Sequence, residues 1–275
     1  MRNFWLKVHL FIALTVGFVF VILGLTGSVN VFMTELEEIG LPKVEQNTSA
    51  KPVSLTQIMA TVKAAHPQRE DRWTLSMPGH DRDYIWVGYA KPKETADEFF
   101  APLRVLVHPY TGEIVSQSFW GQTIWSLIYE MHADLLMGKL GTDIGKTAFK
   151  IVCFLGIFLL VSALTGLYFW WPKNLKKFKQ SITIKRHASK QRFYFDLHNI
   201  TGFYSAIFLL ITAFSGISFA YYKDYIKPIV ALFSEVKADH HKEPKELKSK
   251  RNESAEPITP DQAVAIADKV FPHAQ

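Results

Sequence analysis

The sequence predicts an α-helical integral membrane protein with three transmembrane helices and a small extracytoplasmic α+β module. The start of a second such module follows at the C-terminus. Three observations carry this. Uncharged apolar runs at residues 8–34, 151–171 and 197–222 each exceed the roughly 20 residues a helix needs to cross a bilayer. The stretch from Pro172 to Phe193, between the second and third runs, is basic and holds no acid. The first and third runs share one pattern of residues, and each is followed by the same type of capped helix.

Residues 1–38 hold the first transmembrane helix. Arg2 and Lys7 precede its apolar run as in a signal peptide. The run is too long for a typical h-region, however, and no A-x-A-like site follows, so it reads as an uncleaved anchor. In residues 51–120 the apolar runs stop. Ser54-Leu55-Thr56-Gln57 is a capping box, opening a helix through about Ala65 that ends at His66-Pro67. Alternating, β-favouring stretches follow at 72–77, 84–90 and 103–108. A turn at Pro109-Tyr110-Thr111-Gly112 leads into 113–118, completing the α+β module. Residues 123–140 form an amphipathic helix with Ile124, Leu127, Ile128, Met131 and Leu135 on one face, broken by Gly138-Lys139-Leu140-Gly141.

The second transmembrane helix occupies 141–172 and ends on Trp170-Trp171-Pro172, an aromatic belt and a stop. The loop 173–192 carries Lys173, Lys176, Lys177, Lys179, Lys185, Arg186, Lys190 and Arg192. The positive-inside rule puts this loop and the N-terminus in the cytoplasm. The third transmembrane helix spans 193–223. Residues 237–257 are dense in Lys and Glu and read as a solvated linker. Residues 258–275 begin the second module: Thr259-Pro260-Asp261-Gln262 repeats the capping box, and Pro272 repeats the stop. Gln57 and Gln262 are 205 residues apart, as are Pro67 and Pro272. The second copy stops at Gln275, which reads as a truncated or partial chain lacking a fourth span.

Composition narrows the function. The formal charge of +6 sits mostly in the loop between spans, so it reports topology and does not point to nucleic acid. Cys153 is the single cysteine, so neither a disulfide framework nor a thiolate metal cluster can form. No Gly-rich phosphate loop, nucleophile elbow or nucleotide fingerprint occurs, which argues against NAD or flavin.

The shared pattern carries the chemistry. The first span presents His9, Ala13, Gly17, Gly24 and Thr26-Gly27; the third presents His198, Gly202, Ala206, Ala213 and Ser215-Gly216, each offset by 189. Helical spacing puts each set within an arc of roughly 80°. Each helix so offers an imidazole and, beyond it, a groove of small side chains. Two imidazoles facing each other ligate haem iron axially, and the small residues leave room for a porphyrin. The competing readings are an interfacial role for each histidine and close helix packing of the small residues. His132, with Glu130 and Asp134 nearby, is either a ligand of a haem near the outer face or a residue at the lipid boundary. The second span carries Leu164-Thr165-Gly166, like Leu25-Thr26-Gly27, but 18 residues back stands Ala148, so that helix has no ligand of its own. His66, His80, His108 and His240-His241 fall at no metal-ligand spacing.

Trp5-Leu6-Lys7-Val8-His9 leading to Leu25-Thr26-Gly27 resembles the first span of the PepSY-associated transmembrane family. His132-Ala133-Asp134-Leu135-Leu136-x-Gly138-x-x-Gly141 with Leu164-Thr165-Gly166 through Trp170-Trp171-Pro172 resembles its second, and Leu197-His198 through Ser215-Gly216 its third. The soluble segment, with Val107-His108-Pro109-Tyr110-Thr111-Gly112-Glu113, is similar to a PepSY domain, where an aspartate is usual in place of His108.

The family includes iron-regulated membrane proteins and ferric siderophore reductases. The resemblance implies a multi-pass protein of the bacterial inner (cytoplasmic) membrane with haem b, one or two per chain, held by span histidines. Its iron ligands would be His9 and His198 on the cytoplasmic side, with His132 contributing to an outer haem. Family members typically carry a fourth span. The implied partners are the lipid bilayer, a periplasmic ferric siderophore, a cytoplasmic electron donor and, as an open alternative, a second copy in a homodimer. The implied activity is haem-dependent reduction of ferric iron during iron uptake. The rival reading is a non-catalytic, membrane-anchored module that binds or restrains a periplasmic partner such as a protease. A transporter subunit is weaker, because the three apolar runs hold no charge.

Overall fold

In the computed structural model, α1 (Arg2–Asn30) is one helix of 29 residues, about 43 Å long. That length crosses a bilayer core, and Phe11, Leu14 and Phe18 lie exposed along it, as lipid-facing side chains do. The structure describes residues 1–44, 51–70, 72–79, 82–185, 189–233 and 258–270. Three of its helices are long and apolar enough to span a membrane. The segment expected as one helix over 1–38 is broken: Phe32 leaves the helical region, and α2 (Met33–Glu37) starts anew. The break lets Glu37 and Glu38 turn toward the sheet, where they pair with Arg104 and Trp86.

The described chain divides into a membrane unit (Met1–Ser28, Glu130–Gly138 and the chain from Asp143) and a soluble unit (Val29–Tyr129, Lys139–Thr142 and the C-terminal helix). In the soluble unit α3 (Leu55–Ala65) begins where Ser54 Oγ accepts the Gln57 N–H and ends ahead of Pro67. Strands β1 (Trp73–Ser76), β2 (Ile85–Tyr89), β3 (Leu103–Val107) and β4 (Ile114–Phe119) form one antiparallel sheet in chain order. Ile85, Val87 and Tyr89 alternate inward along β2, and Val87 pairs with Val105. α3 lays Ile58 and Val62 on this face, each fully buried and contributing about 2 kcal/mol. Gly112, at φ 73°, supplies the left-handed residue of the β3–β4 turn.

In chain order come α4 (Ile124–Asp134), a 3₁₀ turn at Met137–Leu140 and α5 (Thr142–Trp170). Leu135 and Leu136 sit at φ 58° and 63°, a conformation that L-residues seldom adopt. Two bonds hold it: the Leu136 N–H reaches back to the Glu130 carbonyl, and the Asp134 carboxylate accepts the Gly138 N–H. The basic loop contains a short helix, α6 (Leu175–Ser181), capped by Asn174. The third span, α7 (Lys190–Tyr221), is longer than expected and continues through a π-helical turn into α8 (Lys227–Ala231). α9 (Pro260–Val270) forms with both halves of its capping box closed between Thr259 and Gln262. No strand follows α9 among the described residues. Arg186, the linker 237–257 and the closing Pro272 lie outside the described residues, as do His80, His240 and His241.

Within the membrane unit, α5 and α7 approach closely where Gly156 faces Ala213. A Cβ at Gly156 would lie 2.9 Å from the Ala213 carbonyl oxygen and 2.8 Å from Ile217 Cγ1. Trp170 stacks on Phe203 with ring centres 3.8 Å apart, locking the far end of the same pair.

Candidate functional site

α1 and α7 each carry a histidine near their N-terminal ends. α5 brings its C-terminal turns beside the first of them. The structure gathers these ends: His9 and His198 have ring centres 6.4 Å apart with planes at 68°. His9 Nδ1 lies 3.0 Å from Thr165 Oγ1 of α5, and Ser162 Oγ is at the limit of bonding distance, 3.5 Å. The Phe169 ring closes one side of His9 at 6.4 Å, edge to face. Gly166 lies against the imidazole, and a Cβ there would still be 3.5 Å from His9 Cε1. Two residues ahead of His198, Asp196 is buried, pairs with Arg192 and accepts the Lys185 N–H.

His132 belongs to a different place. It is half-buried against α1, where its Nδ1–H donates to the Leu23 carbonyl at 2.9 Å and Thr26 Oγ1 lies 3.2 Å away. Gly27 makes the seat: a Cβ there would be 2.8 Å from His132 Cε1. His9 and Gly27 are 18 residues apart on α1, about 27 Å. The protein therefore brings His9 and His198 together and sets His132 near the other end of the same helix.

The small-residue pattern divides. Ala206 and Ala213 are buried, and Ala213 serves helix packing opposite Gly156. A Cβ built at Gly17, Gly24, Gly202 or Gly216 meets nothing within 4 Å, so these positions line open space. Sequence reading singles out Thr26-Gly27 and Thr165-Gly166 but misses that each threonine faces a histidine of another helix. Their signal was the recurrence of Leu-Thr-Gly in two spans.

Among the described residues no group of three or more His, Cys, Asp or Glu side chains converges as a metal cage would. Haem iron asks less of the chain, because the porphyrin fills four positions and two side chains complete the set.

The soluble unit holds the remaining described histidines in structural roles. His66 packs on Trp73, and burial first, then the Arg69 guanidinium, holds its pKa below the ordinary value. Arg69 in turn makes a two-pronged pair with Glu94, whose carboxyl that bond holds below the usual range. His108 Nδ1 accepts the N–H groups of Tyr110 and Thr111, each at 3.2 Å, which is how a carboxylate closes such a turn. A pocket of about 220 Å³ opens beside Val53, Met77, Arg82 and Tyr110.

A family model described as PepSY-associated TM region matches residues 6–272 of the chain. No curated protein matches it.

Proposed function

We propose, from the premise that the chain belongs to the PepSY-associated TM region family, that this multi-pass membrane protein holds haem b between His9 and His198. Its role would be to carry electrons to ferric iron, siderophore-bound or otherwise, on the far side of the membrane. The His9–His198 separation carries the reading. An imidazole nitrogen sits about 2 Å from a bound metal, so two imidazoles on opposite sides of one iron have ring centres about 6 Å apart. The observed 6.4 Å fits that spacing. Gly202 lies one turn beyond His198, and a Cβ built there meets nothing within 4 Å, which leaves room beside the pair for a flat macrocycle.

Bound haem supplies a one-electron carrier whose potential the protein tunes. The chain's own groups do the rest. His9 and His198 hold from two helices, and Thr165 and Phe169 fix the plane of His9. The Trp170–Phe203 stack ties α5 to α7 close by. His132, seated about 27 Å along α1 from His9, would contribute to a second site toward the other end of that helix. With the basic loop inside, the pair would face a cytoplasmic donor and His132 the periplasm. Reduction suits release: hard oxygen donors that grip Fe(III) hold Fe(II) far less well.

A second reading rests on the pocket beside Val53, Arg82 and Tyr110, and on a fully packed module core. Here the protein is a membrane-anchored binding module that restrains a periplasmic partner and carries no electrons. Optical spectra of full-length protein, produced with ample haem, separate the two. Soret and reduced α-bands at one or two haems per chain are expected from the first reading; protein free of both bands sinks it. Partner capture that survives replacement of His9, His132 and His198 together supports the second.

A further inference from the structure

Thr165 and Thr26 stand in the same relation to two different histidines. Thr165 Oγ1 has one hydrogen, and it goes to the Val161 carbonyl at 2.7 Å, one turn back in its own helix. With that hydrogen spent, the hydroxyl meets His9 Nδ1 as an acceptor at 3.0 Å, closer than Ser162 Oγ at 3.5 Å, which favours the neutral ring with its proton on Nδ1. Thr26 Oγ1 likewise donates to the Ile22 carbonyl at 2.7 Å and faces His132 Nδ1 as an acceptor. The Leu23 carbonyl, which can only accept, holds the same Nδ1–H at 2.9 Å. In the neutral form both imidazoles are thereby left with Nε2 bare. Each threonine is followed by a glycine that lets the ring lie against the helix: Gly27 under His132 and Gly166 under His9. The arrangement is exchanged between helices. The first span's Thr-Gly seats a histidine from α4, and the second span's Thr-Gly seats the histidine of the first span.

We propose that Thr165 and Thr26 are positioning residues that fix His9 and His132 as Nδ1–H tautomers and present Nε2 as the metal-binding lone pair. This assignment rests on the haem reading for its purpose, though the tautomer exists with or without haem. A ligating histidine ordinarily donates its other N–H to an oxygen acceptor, which orients the ring and raises the basicity of the bare nitrogen. Here the threonine of a neighbouring helix supplies that acceptor. His198 has no such threonine seat among the described residues, so the two ligands of the proposed pair are unequal: His9 is held, and His198 adjusts.

The test is ¹⁵N NMR of the full chain, histidine-labelled and reconstituted in lipid nanodiscs without haem. His9 and His132 are expected to show a protonated Nδ1 and a bare Nε2 at pH about 8, where an ordinary imidazole is neutral. Thr165→Val should return His9 to a tautomer mixture while leaving His132 unchanged, and Thr165→Ser should restore it. A bare Nδ1 on His9 in the unaltered protein, or an unchanged His9 signal in a folded Thr165→Val chain, overturns the proposal. Haem titration then separates the two claims. If the tautomers are as stated and haem does not bind, the haem reading falls and the positioning role stands. If haem binds, Thr165→Val should weaken its affinity about 10–100-fold and shift its reduction potential, and Thr165→Ser should recover both.

Discussion

Thr56 and Asp261, which occupy the same position in the two copies of the capped helix, are hydrogen-bonded to each other. The Asp261 carboxylate accepts the Thr56 hydroxyl at 2.5 Å, the Thr56 N–H at 2.9 Å and the Leu55 N–H at 2.8 Å. One copy of the repeat thus satisfies orphan donors at the helix start of the other, and α3 and α9 meet N-terminus to N-terminus.

The Thr56 contacts hold the Asp261 carboxyl below the usual carboxylate range. Its charged form is the one the folded chain favours, so the contact is present at neutral pH. It is lost as pH falls through the depressed value. Asp261→Ala should speed deuterium exchange at the Leu55 and Thr56 amides at pH about 7. Equal exchange in the two proteins at that pH would count against the contact.

Arg104 lies between Trp86 and Trp120 and forms a two-pronged pair with Glu37, both side chains largely buried. Replacing Glu37 with Gln leaves the guanidinium without its counter-charge and should cost about 3 kcal/mol of soluble-module stability. Tryptophan fluorescence during denaturant unfolding reads this directly, since Trp86 and Trp120 flank the site.

Gly27 and Gly166 give contrasting expectations. Gly27→Ala pushes a methyl to 2.8 Å from His132 Cε1 and should cost about 1–3 kcal/mol while displacing the ring. Gly166→Ala places its methyl at an ordinary 3.5 Å from His9 and should be tolerated. Thermal unfolding in detergent ranks the two variants; equal losses would contradict the seat assigned to His132.

His66 supplies a pH dependence of the same sense as Asp261, in a higher pH range. Its pKa is lowered in the folded protein, so the unfolded chain binds the proton first as pH falls. The stability it contributes is complete above about pH 6.5 and declines below that, toward the lowered folded value. The module's unfolding midpoint should drop on acidification through this range, and His66→Gln should flatten the drop.

Much of the architecture is legible in the sequence because it depends on local chemistry. Run length marks the spans, Ser54 and Gln57 mark the helix start, Pro67 marks its end, and Gly112 marks the turn. The break at Phe32 was not legible, because it answers to Arg104 and Trp86, residues far along the chain. The site was half legible. The offset of 189 pairs His9 with His198, yet nothing local says what holds His9. Reading 18 residues back from Thr165-Gly166 along α5 finds Ala148, when the histidine that Thr165 serves stands on α1. A contact between helices leaves no spacing in either one. The recurrence of Leu-Thr-Gly was its only trace.

The most direct measurement is electron paramagnetic resonance of the ferric protein loaded with haem. A low-spin signal of the kind two imidazoles produce is expected from the unaltered chain, and conversion to high spin is expected in His9→Ala and in His198→Ala. A low-spin signal that persists with both histidines replaced would contradict the pairing of His9 and His198 on one iron.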